Sequence, residues 1–123
     1  MSIQAVHDVD FAAEATVTDG VLTARVSGNA DLNVRLALER FLAGIHEEAR
    51  QQKLPSVTLD VRGLAFMNSS CLKSLVVWVT QIQDLPPEQR YKITVLSSPT
   101  LYWQKRSLFA ISSLASDIVT IEN

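Results

Sequence analysis

The sequence predicts an α/β fold: one domain in which helices pack against a mixed β-sheet of about four to five strands. Three observations carry that prediction. The hydrophobic period switches repeatedly between two and about 3.6 along the chain. The segments follow the order hairpin, helix, strand, helix, strand, helix, strand, which suits helices layered on a sheet. A chain of 123 residues with 47% hydrophobic content can fill one core, while two would be crowded. Residues 1–10 read as a flexible N-terminus and residues 11–123 as the domain.

In the hairpin, Ala13, Ala15 and Val17 alternate with Glu14, Thr16 and Thr18, and Leu22, Ala24 and Val26 alternate with Thr23 and Arg25. Asp19-Gly20 between the two runs signals a tight turn. From about Asn33 to Gln52, Leu38, Phe41, Leu42, Ile45 and Ala49 form one helical stripe. LPSVTLDV, residues 54–61, follows as a strand with Val57, Leu59 and Val61 on one side. Because a helix precedes it, this strand should lie parallel to its predecessor. Gly63 then turns the chain.

The second helix opens within FMNSSCLKSL, residues 66–75, and carries Leu72, Leu75, Val76, Val79 and Ile82 until Pro86-Pro87 ends it. Trp78 falls off that stripe and reads as an exposed contact residue. YKITVLSS is the next strand. SPTLYWQKRSLFAI is the third helix, with Ser98 as cap and Pro99 in the first helical position. Tyr102 and Trp103, at spacing with Leu101, Leu108 and Ile111, are assigned to the core, and DIVTIEN closes the chain as a strand.

Eleven Lys plus Arg against thirteen Asp plus Glu give a net charge of −2, with no long run of either sign. Neither a nucleic-acid footprint nor a polybasic membrane patch is present. No apolar stretch approaches the roughly 18 residues of a spanning helix, and the N-terminus lacks a basic region followed by an apolar run. A soluble, cytoplasmic protein without direct membrane insertion is expected. Cys71 is the single cysteine, so no intramolecular disulfide can form.

Catalysis by Ser69 or Ser70 would need a base, and the histidines are His7, in the N-terminal segment, and His46, on the first helix. With no Gly-x-Ser-x-Gly turn and no supportable triad, no enzyme and no catalytic residue is expected. The histidines and Cys71 are scattered and no carboxylates have ligand spacing, so neither metal nor cofactor is expected. Lys73 and Arg106 read as solvated charges.

The serine stretch admits two readings. With Asn68 as N-cap, accepting from the N–H of Ser70 or Cys71, and Met67 stapled on Leu72, Ser69 and Ser70 occupy the first turn. The helix dipole there favours a negative charge by roughly 0.3–1 kcal/mol, so a phosphoserine of about −1.5 to −2 is tolerated. Asn-Ser-Ser is equally a plain capping run. Cys71 is either a small half-buried filler or a first-turn thiol of lowered pKa, open to oxidation.

A wider comparison bears on that choice. LDVRGLAFMNSSCLKSLV, residues 59–76, resembles the signature of the STAS domain, the anti-sigma factor antagonist family, in which a strand leads through an apolar pair into Asp-Ser-Ser-Gly-Leu. SGNADL, residues 27–32, resembles that family's Gly-Glu-Leu-Asp turn, with Asp31 on the aspartate position. SSPTLYWQKRSLFAISSLASDIVTI resembles its closing segment. The matches come in the family's order and span roughly residues 13–121.

The resemblance implies a STAS-like domain acting in bacterial partner-switching and transcription regulation. A serine kinase that is also an anti-sigma factor phosphorylates the antagonist, and a phosphatase reverses the modification. It implies Ser69 as acceptor, with Ser70 the second choice, and a partner-binding face of Asp31, Asn68, Ser69, Ser70, Cys71 and Lys73. Asn68 stands where the family usually has aspartate, and Cys71 where glycine is usual. The alternative is a constitutive adaptor, for example on a lipid-transport ATPase, without phosphorylation. Neither reading fixes the oligomeric state.

Overall fold

The computed structural model describes residues 3–123. In chain order it contains β1 (Val6–Asp8), β2 (Phe11–Thr18), β3 (Val21–Ala30), α1 (Arg35–Gln51), β4 (Ser56–Asp60), β5 (Leu64–Met67), α2 (Ser69–Gln83), β6 (Lys92–Leu96), α3 (Tyr102–Leu114) and β7 (Val119–Glu122). The strands form one sheet of order β1-β2-β3-β4-β6-β7, with β5 paired to β3 alone. Pairing is antiparallel from β1 through β3 and parallel beyond. The expected mixed α/β sheet is present, with seven strands in place of four to five.

The two additional strands are short. β1 pairs Val6 with Ala13 and Asp8 with Phe11, so the segment read as a flexible N-terminus contains a strand, and Ile3 packs on the core beside Gly44. Three residues are too few to display a period. β5 buries Leu64 and Met67 at its ends and exposes Ala65 and Phe66 between them, which masks the alternation of a strand. The hairpin turn is as expected, with positive φ at Asp19 (52°) and Gly20 (78°).

All three helices cover one face of the sheet. Leu59, Val95 and Val119 lie beneath Leu75 and Val79 of α2 and Leu108 of α3, and α1 packs beside α2. The other face is polar. Across it Thr16, Thr23, Thr58, Thr94 and Thr120 stand in register on five successive strands, a β-branched row that satisfies strand propensity while staying wetted. On the same face Asp60 receives both Nε and Nη2 of Arg62, at 3.0 and 2.9 Å, and lies 3.5 Å from Arg25. These bonds, Arg62 foremost, hold the Asp60 carboxyl below the usual carboxylate range against the opposing effect of burial.

Trp78 is not exposed: 2% of its surface meets solvent. α2 is the middle helix of the layer, so it buries a flank as well as its sheet-facing stripe, and Trp78 lies on the flank beside Leu42 and Ala43 of α1. Its Nε1 donates to Tyr91 Oη at 2.7 Å, and Tyr91 Oη lies 2.7 Å from Nδ1 of His46. An indole nitrogen can only donate, so the phenol oxygen accepts from Trp78, while its bond with His46 runs in the direction set by the imidazole tautomer. Burial together with Arg50 pulls the His46 pKa below 6.5, against a smaller opposing effect of Glu47.

That arrangement fixes the sign of a pH effect. Above about pH 6.5 His46 is neutral in both folded and unfolded chains. Below it the unfolded chain takes up a proton that the folded chain refuses, so stability falls as the pH drops through the folded-state pKa. Urea denaturation at successive pH values should show this decline, and His46→Gln should remove its part of it.

α3 also begins differently from the expected cap. Ser98 binds locally to Thr100, 2.8 Å between hydroxyls, and the helix starts at Tyr102 after an extended Leu101. Ser98 is held outside the helix because its N–H donates to Gln104 Oε1 at 2.8 Å. Gln104, 1% exposed, further donates Nε2 to the carbonyls of Val61 and Leu64. Tyr102, assigned to the core by spacing, is 77% exposed, whereas Trp103 is partly buried and donates Nε1 to Leu64 O at 3.0 Å.

Candidate functional site

The site forms where β3 and β5 end together. Ala30 pairs with Met67, so the segments that follow, the Asp31 loop and the start of α2, leave the sheet side by side. Gly28 makes this exit possible. Its φ is +92°, the register of β3 shifts just after it, and its N–H binds Gly63 O at 2.9 Å. The next amide, of Asn29, donates to Asp10 O at 2.6 Å.

Asn68 is the N-cap of α2, as expected: extended backbone, with Oδ1 accepting from Cys71 N–H at 2.8 Å. Such a cap contributes about 1 kcal/mol. Its own N–H donates to Ala30 O at 2.9 Å, which fastens the helix start to the end of β3. Ser69 is exposed and Ser70 half-buried in the first turn. Lys73 is exposed one turn beyond Ser69, at the i,i+4 spacing that lets side chains meet.

Asp31 caps a short 3-10 turn, Leu32–Val34, through Oδ1 to Asn33 N–H at 2.9 Å. Its carbonyl lies 3.4 Å from the Cys71 thiol, which donates to it. Asp31 and Cys71, forty residues apart, are therefore neighbours across the two exits. Cys71 is fully buried, and burial first, then the Asp31 charge, raises its pKa, with Arg35 opposing. Both the burial and the direction of the shift run against a reactive first-turn thiol. A filler fits better, buried rather than half-buried.

Four exposed apolar residues near these positions were not singled out by sequence: Leu32, Leu36, Phe66 and Val77, with exposures from 46% to 65%. Leu32 follows Asp31, Leu36 is the second residue of α1, Phe66 lies two residues before the Asn68 cap and Val77 lies two turns along α2. Leu36 and Val77 fall outside the buried stripes of their helices, and that displacement is the available sequence signal.

Chemically, the arrangement suits an anion or an apolar partner better than a reaction. Ser69 and Ser70 present amides at the positive end of α2, since the cap satisfies Cys71 N–H. His46 is engaged with Tyr91, away from the serines in its bonding. Among the described residues no group of three or more His, Cys, Asp or Glu could hold a metal ion, and no helix is long and apolar enough to cross a membrane.

No protein-family model matches the chain, and no curated protein matches its sequence. Solved structures do match. An anti-sigma factor antagonist from Mycobacterium paratuberculosis superposes with a TM-score of 0.65 at 20% identity, over 85% of this chain and 81% of that one. The chain has the anti-sigma factor antagonist fold. The antagonist SpoIIAA in its unphosphorylated form matches over 90% of this chain and 88% of its own, with a TM-score of 0.59 and 20% identity. The STAS-like fold expected from the three sequence segments is therefore present over most of the chain. Within this antagonist fold the serine turn, the Asp31 loop and the exposed Leu32, Leu36 and Phe66 share the end of the sheet at which β3 and β5 stop.

Proposed function

We propose that the protein is a non-enzymatic partner-switching protein of the anti-sigma factor antagonist kind, acting in the cytoplasm and controlled by phosphorylation of Ser69. The observation that carries this reading is an exposed Ser69 in the first turn of a capped helix, beside the Asp31 loop, in the fold of the antagonists. The partner is a serine kinase that doubles as an anti-sigma factor, and a phosphatase reverses its action. The docking face is Asp31, Asn68, Ser69, Ser70 and Lys73, bordered by Leu32, Leu36, Phe66 and Val77. Cys71, being buried, supports the loop from beneath.

The switch is electrostatic. A phosphate on Ser69 is stabilised in the free protein by the helix amides and by Lys73. In a complex the same dianion must shed water against an apolar rim, and without a matching cation the complex weakens. Ser69→Asp should therefore weaken partner binding by about 100-fold, whereas Ser69→Ala should bind constitutively and take up no phosphate. Titration calorimetry against the kinase, with phosphopeptide mapping of the cellular protein, reads both. Unchanged affinity for Ser69→Asp, with the Ser69 peptide unmodified in growing and stressed cells, would overturn the switch.

That result would favour the second reading, a constitutive adaptor of a multiprotein complex such as a lipid-transport ATPase. Its supporting observations are Asn68 in place of an acidic neighbour and the four exposed apolar residues, which suit a permanent contact.

A further inference from the structure

The outer edge of β7 lies at the end of the sheet opposite β1. Ile93 N–H binds Ile118 O and Ser97 N–H binds Glu122 O, both at 2.8 Å. In a parallel ladder this alternation turns the backbone of Ile118, Thr120 and Glu122 toward β6, and that of Val119, Ile121 and Asn123 outward. Val119 N–H is taken by Ala115 O at 2.9 Å. Val119 C=O, both groups of Ile121 and Asn123 N–H are then aimed away from the sheet. β7 carries no proline, lysine or bulge, devices that commonly guard such an edge.

α3 borders this edge on the helix-covered side and runs antiparallel to β7, as a helix between two parallel strands must. Lys105, Phe109, Ser112 and Ser116 line a groove against Ile121 and Asn123. Phe109 is 70% exposed there. The three hydrogen bonds of Gln104 fix the start of α3, so the helix is held in place above the groove.

We propose that β7 pairs antiparallel with β7 of a second copy about a two-fold axis at Ile121, joining two sheets into one. The edge is self-complementary in that register. Ile121 exchanges both backbone bonds with the second copy's Ile121, and Asn123 N–H reaches the second copy's Val119 C=O, reciprocally. The two α3 helices then run antiparallel, with Phe109 against the second copy's Phe109. Lys105, near the start of α3, faces Ser112, Ser116 and the negative end of the opposing helix, with Asp117 just beyond it. On the polar face Thr120 stands opposite the second copy's Glu122. No like charges meet, and self-matching of one patch is what a two-fold interface requires. None of the Ser69 docking residues lies in the groove, so each dimer offers two copies of that face.

Sedimentation equilibrium from micromolar to millimolar protein tests for the dimer, and a cross-link tests the register. Opposed positions that do not exchange backbone bonds sit about 4.5 Å apart between Cα atoms, within disulfide reach. Thr120→Cys mixed with Glu122→Cys should therefore cross-link under mild oxidation, while either variant alone should not, its own thiols lying a diagonal of roughly 7–8 Å apart. Both sites are exposed, and the native Cys71 is buried. Phe109→Ser, also at an exposed position, should weaken the dimer at least about tenfold while leaving the fold intact. A monomer throughout the concentration range, or a dimer in which the mixed pair fails to cross-link, would overturn the proposal.

Discussion

Gly28→Ala is expected to lower stability by about 4 kcal/mol or more, among the largest single-residue effects in this molecule. A Cβ at position 28 would sit 2.0 Å from the Asp10 carbonyl oxygen and 2.8 Å from its carbon. Both belong to backbone that is itself bonded to Asn29, so neither can move without breaking the β3 exit. The φ of +92° adds a second penalty for any side chain. Gly20→Ala separates the two causes. Gly20 has φ +78° but nothing within 4 Å of its added Cβ, so roughly 1–2 kcal/mol is expected there. Guanidinium denaturation of the two variants checks the contrast, and comparable losses would mean that conformation alone, not the Asp10 contact, makes Gly28 necessary.

Trp78→Ala should cost about 3–5 kcal/mol, from lost packing and the cavity left behind. It also takes away the indole N–H that donates to the Tyr91 hydroxyl. The pair of bonds joins α1, α2 and the residue before β6, so its loss loosens the two helices that frame the serine turn. Tyr91→Phe keeps the ring but strands the Trp78 N–H and His46 Nδ1, and about 1–3 kcal/mol is expected. Burial pushes the Tyr91 phenol pKa far upward, so this hydroxyl stays protonated under ordinary conditions. Thermal melts of both variants should rank Trp78→Ala well below Tyr91→Phe. The reverse order would show that the hydrogen bonds, not the indole volume, hold the helices together.

Elements with several turns or a full alternation were legible from the residues alone. The β2–β3 hairpin has eight paired positions around Asp-Gly, and the α1 stripe from Leu38 to Ala49 is entirely buried. The Asn68 cap was legible because capping is a local interaction between neighbours in sequence. Hidden features depended on contacts distant in sequence. β1 and β5 are strands only because β2 and β3 offer them edges, and four residues with buried ends do not announce a strand. Trp78 is buried beside Leu42 and Ala43 of the preceding helix, a contact which no stripe on α2 can reveal. Ser98-Pro99 has the composition of a helix start, but Gln104, six residues on, claims the serine's amide and delays the helix. In the site, the proximity of Asp31 and Cys71 follows from parallel pairing of Ala30 with Met67, a register that period alone does not determine.

Among the described residues β3 is the one strand with three neighbours: β2 through a two-residue turn, β4 after a whole helix, and β5 beyond its bulge. The hairpin closes a short loop and loses little chain entropy in forming, whereas each parallel partner must first close a loop containing a helix. Chain assembly is thereby given a direction, from the hairpin outward to β7. Amide exchange in the native protein should follow the same order, with the slowest protons in the centre of β3 and faster ones toward the last strand.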